Sequence, residues 1–381
     1  MSKKIVYFVG GLLSPNGMGT ILSQKINYLA EHTNYDLYMV LTEKAGVPWY
    51  YDIHPRVKWI NFDINFDELD IMPFHKKVWC YFLKQRKFKR MFSDYLMSVH
   101  PDITVSICRR EINFITDIQD GSKKIAEIHF ARPFYRKFQK SFFPEFLNEW
   151  ISKQWIGSFV KNLKRLDKFV VLTEEDSLNW PELNNLVVIP NFVSSTSMLR
   201  SSLSNKRVIA VGRYSWQKGF DMLINAWKVV NTRHPDWQLD IYGSGDNALY
   251  QKQADGLGLA SVVTCHGSVE HVYEKYAESS LFVLSSRYEG FGLVLVEAMG
   301  VGLPVVSFAC PCGPRDILKD GETGILVSPG DVKGLAEKIC FVIEHQNVRQ
   351  SMGERAITRA KMFTQERVMQ QWIELFENLM K

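Results

Sequence analysis

Two glutamates, Glu289 and Glu297, stand eight positions apart on either side of a Gly-Phe-Gly turn. Residues 281–286 before them predict a buried strand, and residues 293–299 predict a helix. The turn between strand and helix would point free N–H groups and the positive end of the helix dipole at an anion above the sheet. Carboxylates on both sides of an anion site favour a ligand with phosphates in its middle and hydroxyl-rich sugars at its ends.

A nucleoside-diphosphate sugar has that shape. If the whole span from Glu289 to Glu297 were helical, a rise of about 1.5 Å per residue would separate the two acids by about 12 Å. This is roughly the length of a sugar–diphosphate–ribose unit. The alternative is that the two glutamates flank an ordinary core helix, and the pattern alone leaves both interpretations open.

Two upstream blocks accompany this segment. Residues 208–213 end in Val-Gly-Arg and are followed by Lys218 and Gly219, and residues 240–245 end in Gly-Ser-Gly. In their order and spacing, the three blocks resemble the retaining glycosyltransferases of family 4, whose signature is E-x7-E. The resemblance is dense from about residue 187 to the C-terminus and thin before it.

This resemblance implies a retaining hexosyltransferase of GT-B fold. Such an enzyme would move a hexose or N-acetylhexosamine from a nucleoside-diphosphate sugar, most commonly a UDP sugar, to a glycan or lipid-linked acceptor. The implied setting is the synthesis of a bacterial surface polysaccharide or glycan. The implied mechanism is displacement on one face of the sugar, in which the leaving phosphate accepts the proton of the acceptor.

The resemblance also implies roles for individual residues. Arg213 and Lys218 would bind the donor diphosphate, although in isolation they could be surface charges. Glu297 would accept hydrogen bonds from two ribose hydroxyls, and Glu289 would lie near the donor sugar. The remaining donor contacts would come from backbone groups, at the strand-end glycine Gly243, at Gly267 and Val269 beside the base, and at Gly290, Phe291, Gly292 and Leu293 beside the phosphates.

Three residues of the N-terminal half complete the predicted site. Gly17 and Gly19 lie in a glycine-rich stretch that we expect to join the first strand to a helix beginning near Thr20. In the resembled family this loop meets the diphosphate, but it could be only a tight turn. His129 is predicted to end a strand near the donor sugar and the acceptor, as a catalytic residue. A single histidine is equally compatible with a structural role.

Short apolar segments alternate with longer helical stretches, which favours parallel sheets built from β–α–β units. A first series comprises residues 5–9, 36–41, 57–62, 103–107, 125–128, 169–172 and 187–189. A second comprises residues 208–211, 239–242, 262–265, 281–284, 305–308 and 325–327. We therefore predict an α/β protein with two Rossmann-like domains whose strand-end loops face each other across a cleft.

The predicted domain boundaries follow from these series. Residues 1–193 form an acceptor-binding domain, 194–206 a serine-rich linker, 207–362 a nucleotide-sugar-binding domain and 363–381 a final helix. One apolar stripe runs along that helix through Val368, Trp372, Leu375, Phe376 and Leu379. In the resembled family the helix packs back onto the N-terminal domain.

The excess positive charge lies entirely in the N-terminal half. The chain has 46 Lys and Arg against 41 Asp and Glu. The segment from Lys76 to Phe92 carries seven basic residues and no acid, and the segment from Arg132 to Phe143 carries four, both interleaved with aromatic residues. This pattern favours transient contact with an anionic membrane surface. A solvated helix face and a nucleic-acid surface are the alternatives, but neither segment resembles a nucleic-acid-binding motif.

Further features indicate location and cofactors. The apolar start contains two glycines and no cleavage motif, which predicts a first strand rather than a signal peptide. No apolar run approaches the ~20 residues that span a bilayer, so we expect a cytoplasmic protein at the inner face of the membrane. The chain contains no Asp-x-Asp triplet of the kind that holds a metal against a sugar nucleotide. We expect no metal or other cofactor.

Two other classes of function remain open. One is a sugar-nucleotide enzyme without an acceptor, such as an epimerase or a phosphorylase, and the other is a catalytically silent binding protein. We expect Lys218→Ala or Glu297→Ala to abolish transfer with little loss of stability, because residues lining a cleft contribute little packing.

Overall fold

The computed structural model describes residues 2–13, 17–135, 144–194 and 199–381. The chain divides into two compact units. Unit 1 comprises Met1–Val171, Ser177–Ile189 and Met369–Lys381, and unit 2 comprises Leu172–Asp176 and Pro190–Val368. Each unit contains one parallel sheet, so the predicted α/β class with two parallel sheets is confirmed.

Within its described residues, unit 1 has a sheet of seven strands in the order β3-β2-β1-β4-β5-β6-β7. These strands are β1 (Lys4–Gly10), β2 (Asp36–Leu41), β3 (Lys58–Asn61), β4 (Ile103–Ser106), β5 (Lys123–Glu127), β6 (Lys168–Val171) and β7 (Leu186–Val188). The helices of this part of the chain are α1 (Gly17–His32), α2 (Phe74–Val99), α3 (Glu145–Leu163) and the short α4 (Glu174–Ser177). The strand order reverses between β1 and β4.

The described residues of unit 2 form a six-stranded sheet in the order β10-β9-β8-β11-β12-β13. Its strands are β8 (Arg207–Val211), β9 (Gln238–Tyr242), β10 (Val263–His266), β11 (Leu281–Leu284), β12 (Val305–Phe308) and β13 (Gly324–Val327). Its helices are α5 (Phe220–Arg233), α6 (Ala248–Gly256), α7 (Val272–Ala277), α8 (Leu293–Val301), α9 (Pro314–Ile317), α10 (Val332–Glu344) and α11 (Gln346–Ala360). Here the order reverses between β8 and β11.

The strands read as continuous apolar runs because both faces of each sheet are covered. Along β8, Val208 and Ala210 pack into one buried cluster of unit 2, while Ile209 packs into the cluster on the opposite face. Side chains alternate across a strand, so a single run contributes to both layers. The functional groups are therefore confined to the loops at the carboxyl ends of the strands.

The final helix, α12 (Gln365–Leu379), ends within unit 1. Val368, Trp372 and Phe376 of the predicted stripe are fully buried. Leu375 and Leu379 are only partly buried. Inside unit 1, the Nζ atom of Lys25 lies 3.7 Å from the centre of the Trp372 ring.

The predicted linker has structure where it is described. Residues 195–198 of that stretch lie outside the described residues. Leu203 is 7% exposed and packs in the core of unit 2, and its carbonyl accepts a hydrogen bond from Arg349 Nε at 3.2 Å. The N–H of Ser201 donates to the carbonyl of Val301 at 3.0 Å. Residues 199–206 therefore form part of unit 2.

Candidate functional site

The candidate site of unit 2 lies where β8 and β11 separate from each other. These neighbouring parallel strands pair through Leu281 with Val208 and Phe282 with Ile209. In open α/β sheets, ligands bind beyond the carboxyl ends of the strands at the point where strand order reverses. The loop after β8 carries Arg213 and Lys218, and the loop after β11 carries Glu289.

Hydrogen bonds tie the loop that carries Lys218 to the loop after β11. Ser285 Oγ donates to the carbonyl of Lys218 at 2.9 Å. The N–H of Arg287 donates to the carbonyl of Gln217 at 2.7 Å, and Gln217 Nε2 donates to the carbonyl of Tyr288 at 3.0 Å. Gly219, with φ +63°, is obligatory here, since a Cβ on it would lie 2.1 Å from the carbonyl oxygen of Ser285. The two loops therefore present their side chains as one assembly.

An ion pair between Lys218 and Glu289 forms the centre of this assembly. Lys218 Nζ lies 2.7 Å from Glu289 Oε1, and the two side chains are 17% and 6% exposed. Ser286 Oγ donates to the same carboxylate oxygen at 2.6 Å. The structure thus brings together two residues that are 71 positions apart and that the sequence assigned to one site.

Arg213 remains open to solvent beside this pair. Its side chain is exposed, and it makes no ion pair or side-chain hydrogen bond with any described residue. An uncompensated guanidinium at the carboxyl edge of a sheet is suited to an anionic ligand, because it offers several donors in a planar fork.

Glu297 lies on α8 and is partly buried. Tyr276 Oη donates to Glu297 Oε2 at 3.0 Å. Burial raises the pKa of the Glu297 carboxyl, while the hydrogen bond from Tyr276 and the charge of Lys218 oppose that rise. The helix covers only the second half of the span from Glu289 to Glu297, since α8 begins at Leu293.

The turn before α8 exposes backbone donors. Gly292 precedes the helix with φ +95°, a conformation that glycine adopts without strain. Among the described residues, no acceptor is present for the N–H groups of Gly292, Leu293 and Val294. These are the unsatisfied donors of a helix N-terminus, the arrangement that binds phosphate groups in many proteins.

Phe291 has a packing role in addition to its place in this turn. Its side chain is 3% exposed and lies edge-on to Phe363 with ring centres 5.7 Å apart. A Cβ on Gly313 would lie 1.8 Å from the carbonyl oxygen of Phe291. The position of the turn is therefore determined by contacts on both sides, while Gly290 lies between Glu289 and the buried phenylalanine.

Gly243 is explained by close backbone packing. A Cβ at this position would lie 1.7 Å from the carbonyl oxygen of Gly212. The N–H of Gly243 donates to the carbonyl of Gly267 at 3.3 Å. Gly267 itself is exposed with open space around its Cα, and Val269 is partly exposed, so both border solvent beyond the end of β10.

In unit 1, His129 lies two residues beyond the end of β5. The sequence had placed it at the strand end itself, and the observed strand stops at Glu127. His129 Nε2 lies 3.4 Å from Glu127 Oε2, and both side chains are buried. Glu127 also forms a buried ion pair with Lys25. Burial alone would raise the pKa of Glu127, but Lys25 and His129 outweigh that effect and lower it to about 2.

Gly17 and Gly19 lie in the first turn of α1, because the helix begins at Gly17 rather than near Thr20 as predicted. Gly17 is exposed with no atom within 4 Å of the position of a Cβ. A Cβ on Gly19 would lie 2.8 Å from the Tyr51 ring. Gly19 therefore permits a close contact between α1 and Tyr51.

Sequence reasoning missed three residues that shape the site of unit 2. Ser286 and Tyr276 donate to the two glutamates, and Gly313 allows its own loop to pass against Phe291. Ser286 stands three residues before Glu289, the first residue of the E-x7-E segment, so its position was a usable signal. Nothing in the local sequence of Tyr276 or Gly313 indicates these contacts, because both depend on tertiary packing.

Chemically, this arrangement can hold a departing anion. Lys218, Arg213 and the free amides before α8 are three kinds of donor on one sheet edge of unit 2. Fixed donors directed at developing negative charge are usually the largest single contribution to catalysis in group transfer.

Residues 199–359 match the family model described as glycosyl transferases group 1. The matched segment contains Arg213, Lys218, Glu289 and Glu297. Over these residues, the match supports the resemblance predicted from the motif blocks at the level of group 1 glycosyltransferases. Membership of family 4 stays a prediction.

Two bacterial relatives align with little more than half of the chain. An exopolysaccharide phosphotransferase of Streptomyces coelicolor is 35% identical over 222 residues, which are 56% of this chain and 24% of that protein. An uncharacterized glycosyltransferase of Haemophilus influenzae is 31% identical over 212 residues, which are 54% of this chain and 60% of that protein. The chain therefore spans less than two thirds of either relative's length.

Among solved structures, the sucrose-phosphate synthase of Thermosynechococcus elongatus aligns with a TM-score of 0.80. The alignment covers 99% of both chains at 20% sequence identity. At this identity the likeness shows the fold alone. The predicted GT-B fold is confirmed.

Proposed function

We propose that this chain is a retaining glycosyltransferase that uses a nucleoside-diphosphate sugar, with UDP as the first nucleotide to test. It would transfer a hexose or N-acetylhexosamine to a glycan or lipid-linked acceptor in the synthesis of a bacterial surface polysaccharide. The match to group 1 glycosyltransferases supports the transfer reaction, and the exopolysaccharide in the name of the Streptomyces relative, itself a phosphotransferase, supports only the setting.

The observation that carries the proposal is the ion pair of Lys218 with Glu289 at the carboxyl edge of the unit 2 sheet. A buried pair is a weak source of stability, because desolvation of both charges offsets their attraction. Its position beside the exposed Arg213 and the free amides before α8 favours a functional role. Diphosphate oxygens would provide a second partner for Lys218.

In the proposed reaction, Arg213, Lys218 and the α8 amides hold the diphosphate while Glu297 accepts hydrogen bonds from the ribose. The bond between the sugar C1 and the leaving phosphate oxygen breaks, and the acceptor hydroxyl oxygen bonds to C1 on the same face. The phosphate oxygen takes the hydroxyl proton, so nucleoside diphosphate and glycoside are the products. Glu289 lies close to the donor sugar and orients Lys218.

The other predicted residues keep their roles as parts of this proposal. Gly267 and Val269 would provide backbone contacts to the base, and the strand-end glycine Gly243 would serve donor binding mainly by setting the distance between two loops. In unit 1, Gly17 and Gly19 would meet the donor diphosphate. His129, oriented by Glu127, would be a catalytic residue near the sugar.

We also propose that no metal is required. Two cationic side chains and the helix amides would neutralise the diphosphate, which is the task that a divalent ion performs in other nucleotide-sugar enzymes. The residues Arg213 and Lys218 carry this part of the proposal.

The proposed acceptor lies on or near an anionic membrane, and the first half of α2 supports that contact. Trp79, Leu83, Arg86 and Arg90 share one face of the helix at 3.6 residues per turn. Trp79 is 68% exposed and Leu83 53% exposed. Among the described helices, none is long and apolar enough to cross a bilayer, so contact would be peripheral.

The second basic segment contributes less to this surface. Residues 136–143 lie outside the described residues. Arg132 at its start forms a two-pronged ion pair with Glu182, with distances of 2.6 and 2.7 Å. These hydrogen bonds lower the pKa of Glu182 to about 2. The charge of Arg132 is therefore used within the fold.

The test of function begins with thermal shifts of the purified protein in UDP, GDP and ADP, with and without magnesium. A ligand at 100 times its dissociation constant stabilises the folded state by about 2.7 kcal/mol. We expect a shift with one nucleoside that does not need the metal and that is lost in Lys218→Met. A shift that appears only with magnesium would contradict the metal-free proposal.

The second stage measures transfer with the matching nucleotide sugar. Consumption of the donor only when an acceptor is present supports transfer, whereas consumption without acceptor would favour an epimerase or phosphorylase. The anomeric configuration of the product, read by proton NMR, should equal that of the donor. Inversion would overturn the retaining assignment.

Membrane contact is tested by co-sedimentation with vesicles of phosphatidylglycerol and phosphatidylcholine. Trp79→Ser with Leu83→Ser should weaken binding to anionic vesicles at least about tenfold. Each apolar side chain that becomes buried in the vesicle surface contributes about 1.5–3 kcal/mol to binding. Leu249→Ser is the matched control, because Leu249 is 67% exposed on α6 in unit 2. Equal binding by all three proteins would refute this surface.

A further inference from the structure

Unit 1 contains a cavity of about 600 Å³ at the carboxyl ends of its first strands. Its lining includes Phe8 and Val9 of β1, Thr42 after β2, and Arg109 and Arg110 after β4. The strand order of this sheet reverses between β1 and β4, and that is the position where open α/β sheets bind ligands. Its size falls within the range of about 300–1,000 Å³ typical of small-molecule sites.

Two carboxyl groups line the same cavity as the arginines. Glu43 and Asp67 both line the cavity. Burial and then the neighbouring charge of Asp67 raise the pKa of Glu43, while Arg110 and Arg109 oppose that rise. A Cβ on Gly11 would lie 2.8 Å from Glu43 Oε2, so a glycine at this position leaves room for the Glu43 carboxyl.

The two arginines are not neutralised by contact. Among the described residues, no carboxylate lies within 4.0 Å of the side-chain nitrogens of Arg109 or Arg110. The Arg110 guanidinium stacks on the Phe66 ring at 4.3 Å, which also fixes its direction. The carbonyl of Arg110 accepts a hydrogen bond from Gln85 Nε2 at 2.8 Å. The cavity is thus lined by two arginines that make no ion pair with a described carboxylate, and of these Arg110 is fixed by Phe66 while Arg109 is exposed.

The buried carboxyl group of Glu111 holds the turn that carries Arg109 and Arg110. Glu111 Oε1 accepts hydrogen bonds from Ser106 Oγ at 2.6 Å and from the N–H of Arg109 at 3.0 Å. Glu111 is fully buried. Cys108 has φ +58°, an uncommon conformation for a residue with a side chain. Strained backbone of this kind concentrates at functional sites, where the surrounding structure maintains it.

The loops after β2 and β3 show the same pattern of uncommon backbone conformations held by side-chain hydrogen bonds. Lys44, Asp63 and Asn65 have φ values of +41°, +49° and +54°. Asn65 Oδ1 accepts from the N–H of Lys44 at 2.5 Å, and Asp63 Oδ1 accepts from the N–H of Ala45 at 3.1 Å. The loops after β2, β3 and β4 are therefore held in place by the protein's own hydrogen bonds before any ligand binds, which lowers the entropy cost of binding.

We propose that this cavity binds the acceptor, and that the acceptor carries a phosphoryl group beside sugar or polyol hydroxyls. Arg109 and Arg110 would hold the phosphoryl oxygens, since guanidinium groups match that geometry. Glu43 and Asp67 would accept hydrogen bonds from the hydroxyls. The assignment as acceptor site rests on the proposed function, whereas binding of a phosphorylated polyol by the cavity can be measured independently.

The experiment is isothermal titration of the full chain with ribitol 5-phosphate, ribitol, inorganic phosphate and dihexanoylphosphatidylglycerol. The phosphorylated polyol should bind more tightly than either of its parts. Arg109→Ala combined with Arg110→Gln should weaken its binding at least about tenfold, which is the loss of one charge-assisted hydrogen bond or more. Glutamine at 110 keeps an alkyl stem on Phe66. The matched control Arg355→Ala removes an exposed arginine of α11 in unit 2 and should bind normally.

Glu43→Gln distinguishes the role proposed for the carboxyl groups from the role proposed for the arginines. This variant removes a negative charge near the arginines, so inorganic phosphate should bind equally or better. The advantage of ribitol 5-phosphate over inorganic phosphate should shrink, because one hydroxyl acceptor is weakened. An equal loss of affinity for ribitol 5-phosphate and for inorganic phosphate would contradict the division of roles between the arginines and the carboxyl groups.

The remaining outcomes separate this proposal from the proposed function. If nucleotides bind unit 2 and transfer proceeds, but the arginine variants change neither binding nor KM for the acceptor, the cavity proposal fails alone. If the cavity binds ribitol 5-phosphate but no nucleotide binds, the proposed function fails and the phosphoryl assignment holds. Tighter binding of dihexanoylphosphatidylglycerol than of ribitol 5-phosphate would assign the phosphoryl group to a lipid headgroup, and the reverse would assign it to a free polyol phosphate.

Discussion

The carboxyl edges of the two sheets use charge in opposite ways. In unit 2, Lys218 and Glu289 neutralise each other at 2.7 Å, and the loops are held by close backbone contacts at glycines together with hydrogen bonds from Ser285 and Gln217. In unit 1, Arg109 and Arg110 face a cavity without a contacting carboxylate among the described residues. There the loops are held by side-chain oxygens of Glu111, Asp63 and Asn65, which accept hydrogen bonds from backbone N–H groups.

This difference shows how the same topology can serve two kinds of ligand. An internal ion pair limits the cost of keeping a lysine at a desolvated edge until a diphosphate arrives. Arginines without an ion-pair partner, beside a cavity of about 600 Å³, suit a ligand whose charged group is only one part of its surface. Substitutions in the two units test whether the internal pairing of unit 2 and the side-chain support of unit 1 have these consequences.

The largest expected effect is on transfer in Lys218→Met. Loss of one donor to a departing anion lowers turnover about 100- to 1,000-fold. Glu289 would keep only Ser286 as a partner, so the free energy of unfolding should also fall by about 1–3 kcal/mol. The expectation from sequence that such a substitution costs little stability is revised by this pairing.

The control for this variant is the double substitution Lys218→Met with Glu289→Gln, which removes both charges. It should recover most of the stability and none of the activity, as measured by urea denaturation and donor consumption. Lys228→Met, at an exposed position of α5, should resemble the wild type in both. Full transfer by Lys218→Met would remove the lysine from the site.

The second effect tests the backbone contacts of unit 2. Gly243→Ala places a Cβ 1.7 Å from the carbonyl oxygen of Gly212, and we expect a loss of at least about 2 kcal/mol in unfolding free energy. Gly267→Ala meets no atom within 4 Å and should change stability by no more than about 0.5 kcal/mol. Similar denaturation midpoints for the two alanine variants would show that Gly243 does not set this loop distance.

The third effect concerns the side-chain support of unit 1. Glu111→Ala removes the acceptor of two hydrogen bonds and should lower unfolding free energy by about 2 kcal/mol. Burial raises the pKa of Glu111 above its ordinary value of 4.5. Its folded state therefore favours the protonated form, and this contribution to stability is present below pH 4.5 and declines as pH rises through the raised pKa.

Glu111→Gln distinguishes the two causes. Glutamine retains an acceptor oxygen and does not ionise, so its stability relative to wild type should increase as pH rises above about 4.5. Denaturation at several pH values measures that difference. A difference in stability that is constant with pH would show that the pKa of Glu111 is not raised in the folded protein.

The smallest effect is the pH dependence of nucleotide affinity through Glu297. Burial raises its pKa, so the ionised form that accepts ribose hydroxyls is lost as pH falls toward that raised value. Glu297→Gln should bind nucleotide about tenfold more weakly at neutral pH. The gap between variant and wild type should close as pH falls. An unchanged gap down to pH 4.5 would exclude the carboxylate as the ribose partner.

Sequence reasoning predicted the strands and helices better than it predicted the contacts between side chains. The strand series predicted both sheets because parallel strands buried on two faces are continuous apolar runs. The start of α1 was placed at Thr20 instead of Gly17, since two glycines in a first helical turn carry little helix propensity. Gly243 was assigned to a ligand, and close backbone packing also explains it.

By itself, the sequence determined the α/β class and predicted the candidate site of unit 2, because strand periodicity and the spacing from Glu289 to Glu297 are local properties. The tertiary structure alone decided which charges are paired. Glu43, Asp67, Arg109 and Arg110 are scattered over three loops of the chain and form one cavity only because strand order reverses between β1 and β4. Whether a charge has a partner depends on such distances, and distances between separate loops are set by the fold.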